Sequence, residues 1–111
     1  MQKFIDTVSN NIPAIQEEFD KYQKAYFPVR SPQFFCLELN GEAGELANLE
    51  KKIWKGREID EKLLADEAAD VFIALMNYAN SRDINLGDAV AKKLKIIDKN
   101  MREMKSQGKE Y

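Results

Sequence analysis

The sequence predicts an all-α protein built as a bundle of four main helices, and three observations support this prediction. Apolar residues recur at steps of three and four along most of the 111-residue chain, which is the period of an amphipathic helix. No stretch of useful length alternates apolar and polar residues as a strand would, and only three prolines and five glycines interrupt the pattern. Because a chain of this length fits one core, we expect a single domain over residues 1–111.

The first part of the chain predicts a short helical lead-in followed by a longer helix. Residues 2–9 hold a small apolar cluster, and the sequence SNN before Pro13 is typical of a new helix start, so we expect a break there. From Ile12 an apolar stripe continues to Tyr26 and predicts a core-facing helix that ends near Phe27.

The second helix should begin at Ser31, a suitable N-cap that is followed by proline, and continue to about Lys55. Its interior contains Gly41 and Gly44, each of which costs helix stability relative to alanine. These glycines predict that another backbone approaches this helix closely.

Two further helices are predicted after a polar connection. Residues 63–80 are so apolar that little of this helix should face water. Residues 86–104 form an amphipathic helix, and six basic residues surround its apolar face between positions 92 and 105. Whether a second chain completes the core is left open by this pattern.

Two groups of acidic residues stand out on the second and third helices. Glu38, Glu42 and Glu45 are spaced by four and three, so they lie on one side of about two turns. Glu67 and Asp70 do the same within the most apolar run, where an unpaired carboxylate is costly. Such pairs are also common on solvated helix faces. The sequence VFIALM directly after Asp70 argues against that interpretation, because turning this residue to water would expose core.

If the two groups converge, they offer four or more carboxylate oxygens, a donor set that suits Mg²⁺ or Mn²⁺. The ion would bind the oxygens of a polyphosphate, and a carboxylate would orient or deprotonate an attacking water. We expect Glu38 and Glu42 to take this catalytic role.

Composition excludes several other chemistries. There is no histidine, which removes Ser-His-Asp and Cys-His catalysis and histidine-bound zinc. Cys36, the only cysteine, has no internal disulfide partner and is expected to be a small core residue. The N-terminus lacks an apolar signal core and no segment approaches transmembrane length, so we expect a cytoplasmic protein with no membrane partner. The net charge of -2 gives no global field for nucleic acid.

Candidate substrate-binding residues lie near the ends of two helices. Trp54 would stack on a base while Lys51 and Lys52 meet phosphates, although core or rim packing explains the tryptophan equally well. Lys93 and Asn100 are seven residues apart and share one helix face, a pairing that suits a phosphate and a sugar or base edge. The other interpretation of this pair is a solvated basic face.

The two acidic groups resemble a known family signature. The segment from Glu42 to Glu45, EAGE, is followed after 21 residues by EAAD, from Glu67 to Asp70. This arrangement is similar to the Glu-x-x-Glu, spacer, Glu-x-x-Asp pattern of the all-α, MazG-like nucleoside triphosphate pyrophosphohydrolases, over about residues 27–102.

The resemblance implies that Glu42, Glu45, Glu67 and Asp70 bind Mg²⁺. It also implies that a nucleoside or deoxynucleoside triphosphate is split between its α and β phosphates, giving a monophosphate and pyrophosphate. Members of the family usually pair helices across a dimer or higher oligomer, so a homodimer or homotetramer is expected. Glu38 lies outside the signature, and the family's C-terminal Lys/Asn/Arg pattern is matched only loosely by Lys93, Asn100 and Arg102.

Two other classes of function compete with this hypothesis. A non-catalytic helical interaction module would have exposed acids and would be indifferent to Mg²⁺. A nucleic-acid binder would use the basic fourth helix, and its binding would depend on salt. We expect the pyrophosphohydrolase activity, and we expect no nucleic-acid partner.

Overall fold

The structure, a computed structural model, describes residues 1–110 and contains four helices and no strand in that range. The helices are α1 (Gln2–Tyr26), α2 (Pro32–Trp54), α3 (Glu61–Ser81) and α4 (Leu86–Ser106). The predicted all-α class with four main helices is confirmed.

Short polar side chains start three of these helices. Ser31 caps α2 as predicted, since its side chain accepts a hydrogen bond from the backbone N–H of Phe34 at 3.2 Å. Asp60 caps α3 and starts it two residues earlier than the apolar pattern predicted. Asn85 caps α4, which begins at Leu86 as predicted. Gly56 follows the end of α2 with a φ of 90°, a left-handed conformation that favours glycine.

The predicted break before Pro13 is wrong, because α1 runs through this residue without interruption. Proline lacks the N–H that would bond one turn back, which normally interrupts a helix. Here the ring packs closely against the start of α4: a Cβ placed on Gly87 would lie 2.7 Å from Cδ of Pro13 and 3.2 Å from the carbonyl oxygen of Val8. This packing favours a continuous helix over the local preference of the sequence.

The described chain divides into two compact units. One unit combines Met1–Glu18 with the described residues from Ile84 onward, and its buried residues include Ile5, Val8 and Ala91.

The other unit, Phe19–Asp83, contains α2 and α3 packed against each other, together with the C-terminal part of α1. Phe19 of α1 contacts Phe72 of α3, with ring centroids 6.1 Å apart. The candidate site lies in this second unit.

Burial within α3 differs from the prediction. Residues 74–81 of this helix are buried or half-buried on all sides, but residues 61–73 are mostly exposed, with Leu63 and Phe72 at 49% and 45%. Tyr22 and Tyr26, expected on the core side of α1, are exposed, as is Cys36. Apolar periodicity identifies which face of a helix packs, but it does not say how much of that face a single chain covers.

The close approach predicted at Gly41 and Gly44 does not occur within this chain. A Cβ placed at either residue would meet no atom within 4 Å. The neighbouring helix therefore packs elsewhere on α2, and the glycine at a tight contact is Gly87. Among residues 1–110, none of the helices combines the length and apolar character needed to cross a membrane.

Candidate metal centre

The centre of the site is a group of three carboxylates on the α2–α3 hairpin. Residues 55–60 join the two helices, so the chain reverses and the helices lie side by side. Glu42 of α2 meets Glu67 and Asp70 of α3, and one carboxylate oxygen from each lies within 4.8 Å of the other two. The i, i+3 spacing of the α3 pair puts both acids on the same face, as the sequence indicated.

Glu45 extends this group along α2. It lies one turn after Glu42, and both side chains form hydrogen bonds with the carboxyl group of Glu67. A hydrogen bond between two carboxyl groups requires a proton on one of them. Without a cation, the group therefore retains a proton to a higher pH than an isolated glutamate does.

Glu67 is the electrostatic centre of the group. Burial raises the pKa of this carboxyl from its ordinary 4.5 to about 7, and the hydrogen bonds with Glu42 and Glu45 and the repulsion from their charges act in the same direction. Its Oε2 atom is buried and has no hydrogen-bond partner among residues 1–110. An unpartnered buried oxygen is costly, and a bound cation would compensate for it.

The acids are less buried than the sequence suggested. Glu42 and Glu67 are half-buried, whereas Glu45 and Asp70 are exposed. The expectation that Asp70 cannot face water is wrong, because the apolar residues beside it on α3, Phe72 among them, also remain accessible. The site is thus an open one, with its deepest donor at Glu67 and its outer donors in contact with solvent.

Glu38 is exposed on α2 and is not one of the three acids that converge. It lies one turn before Glu42 on the same side of the helix.

None of the candidate substrate-binding residues belongs to the three acids that converge. Trp54 is the last residue of α2 and is 92% exposed, so within this chain it packs neither in the core nor at its rim. Lys51 and Lys52 are exposed in the last turn of α2. Lys93 and Asn100 are exposed on α4, which belongs to the other compact unit.

Sequence reasoning missed a cavity in the same hairpin. It has a volume of about 280 Å³ and is lined by residues from the end of α1, the start of α2 and the end of α3. Asn77 is the buried polar residue in its wall. A signal was present, because an asparagine in the middle of the apolar run VFIALMNYA occupies a position that a packed helix normally gives to an apolar residue.

Comparison with known proteins found no family model, no curated protein and no solved structure that matches this chain.

Proposed function

We propose that this protein is a Mg²⁺-dependent nucleoside triphosphate pyrophosphohydrolase of the MazG-like type, with Mn²⁺ as an alternative ion. The observation that carries the proposal is the convergence of Glu42, Glu67 and Asp70 to within 4.8 Å on a hairpin whose sequence resembles that family's signature. The substrate is a nucleoside or deoxynucleoside triphosphate, and the products are the monophosphate and pyrophosphate.

The donor set fits such an ion. All donors are carboxylate oxygens, the ligands of hard cations. Oxygens that bind one Mg²⁺ at about 2.1 Å lie at most about 4.2 Å apart. The oxygens of the three acids lie within 4.8 Å of one another, so a small rotation of the side chains would bring them to that spacing. The ion would also satisfy Oε2 of Glu67, which has no partner among the described residues. Glu42, Glu67 and Asp70 would hold it, and Glu45 would join them from the next turn of α2.

When bound, the ion neutralises phosphate oxygens and makes a water molecule more acidic. The chain's own residues supply the remaining functions. Glu38 is exposed one turn from Glu42, so these two carboxylates can orient a water at the mouth of the group and accept its proton. Attack of this water on the α phosphorus forms a new P–O bond and breaks the bond to the bridging oxygen, which leaves with pyrophosphate.

The basic residues take the outer parts of the substrate in this proposal. Lys51 and Lys52 would meet phosphates, and Trp54 would stack on a base. Lys93 and Asn100 remain candidates for a phosphate and a sugar contact. All five are exposed, which leaves their side chains accessible to a ligand.

We also propose a homodimer or homotetramer, with a second copy of this chain as the partner. Large apolar side chains remain exposed on both helices of the hairpin, including Leu37, Leu63 and Phe72. A second copy that packs on the hairpin would remove such side chains from water, which is favourable. Light scattering would measure the assembly directly.

The products decide between this reaction and an ordinary phosphatase. In ¹⁸O-water, mass spectrometry should find the label in the monophosphate and none in the pyrophosphate at early times. Label in pyrophosphate alone, or early diphosphate with orthophosphate, would show that the reaction is a different one.

Variants of the acids test the site itself. Glu42→Gln, Glu45→Gln and Asp70→Asn should each lower kcat/KM by at least about 100-fold, since each removes a ligand, while the helical circular dichroism stays unchanged. Glu50→Gln is the matched control, because Glu50 is exposed on the same helix and outside the group. A ligand variant with full activity would remove that residue from the site.

A non-catalytic interaction module is the second candidate, favoured by the exposed apolar residues. The two differ in their response to Mg²⁺. An ion bound only by the folded protein stabilises it by about 2.7 kcal/mol at 100 times its dissociation constant. Melting that is unchanged by Mg²⁺ or Mn²⁺, at matched ionic strength, would favour the module.

A further inference from the structure

We draw no further inference here: the strongest candidate, the exposed aromatic patch of Tyr22, Tyr26 and Phe27 around the C-terminal end of α1, carries no proposal because nothing among residues 1–110 shows what covers it.

Discussion

Gln16 and Glu67 are both partly or fully buried polar residues, yet their surroundings differ completely. Gln16 is 6% exposed. Its amide binds the backbone at the start of α4, because Nε2 donates to the carbonyl oxygen of Ile84 and Oε1 accepts from the N–H of Leu86, both at 2.8 Å. Glu67 buries Oε2 with no partner among the described residues and has other carboxyl groups as neighbours. A satisfied buried group stabilises a junction, whereas an unsatisfied one at an open hairpin keeps its binding capacity for a ligand.

The glycines show the same contrast between the two compact units. Gly87 is buried where α4 meets Pro13, and there is no room for a side chain. Gly41 lies on α2 with open space around it. At Gly87 the chain's own residues fill the space, whereas the space beside Gly41 on the hairpin stays open.

The largest effect is expected from removing the bridging amide of Gln16. Gln16→Leu should lower the free energy of unfolding by about 2–3 kcal/mol, because the partly buried carbonyl of Ile84 and N–H of Leu86 would both lose these partners. Urea denaturation followed by circular dichroism measures the change. Gln33→Leu, at an exposed position in the first turn of α2, should change stability by less than about 0.5 kcal/mol. Equal effects of the two variants would mean that the bridge adds nothing.

A smaller and opposite pair of effects is expected from the glycines. Gly87→Ala should lower the free energy of unfolding by about 1–3 kcal/mol, since the new Cβ would overlap the ring of Pro13. Gly41→Ala should raise it by about 0.5–1 kcal/mol, because alanine favours the helix and meets no atom. Thermal melts of both variants test the contrast. If Gly41→Ala instead lowers the melting temperature and also dissociates the oligomer, a second chain packs against this glycine.

The third effect concerns pH. Since the pKa of Glu67 rises from 4.5 to about 7 in the folded protein, folding favours its protonated form. This contribution to stability is fully present below about pH 4.5 and is lost as the pH rises through about 7. Metal-free protein should therefore melt at a higher temperature near pH 5 than near pH 8, as far as this group is concerned.

Glu67→Gln separates the contribution of this carboxyl to the pH dependence of stability from that of the other acidic residues. The amide does not ionise, so the part of the pH dependence that belongs to Glu67 should disappear in chelator, and Glu50→Gln should retain it. Mg²⁺ should reverse the trend in the unmodified protein, because the ion competes with the proton and its stabilisation grows as the pH rises. An identical pH profile in Glu67→Gln and the unmodified protein would show that the carboxyl does not titrate in this range.

Much of the fold follows from local chemistry. Apolar periodicity and the capping residue Ser31 determined the number of helices and where α2 begins. The spacing of Glu67 and Asp70 determined that both carboxylates would lie on one face of α3. Pro13 was misinterpreted because the local cost of proline in a helix was weighed without its packing against Gly87.

The sequence by itself determined that this chain is helical and that its acidic groups lie on helix faces, because period and spacing act between neighbours along the chain. Only the tertiary structure decided that Glu42 meets Glu67 and Asp70, that Glu38 is not among these converging acids, and that Asn77 lines a cavity. Those outcomes depend on the rotation of α2 against α3 and on how much of each face a single chain covers. Packing of residues far apart in sequence sets both, and no local pattern encodes them.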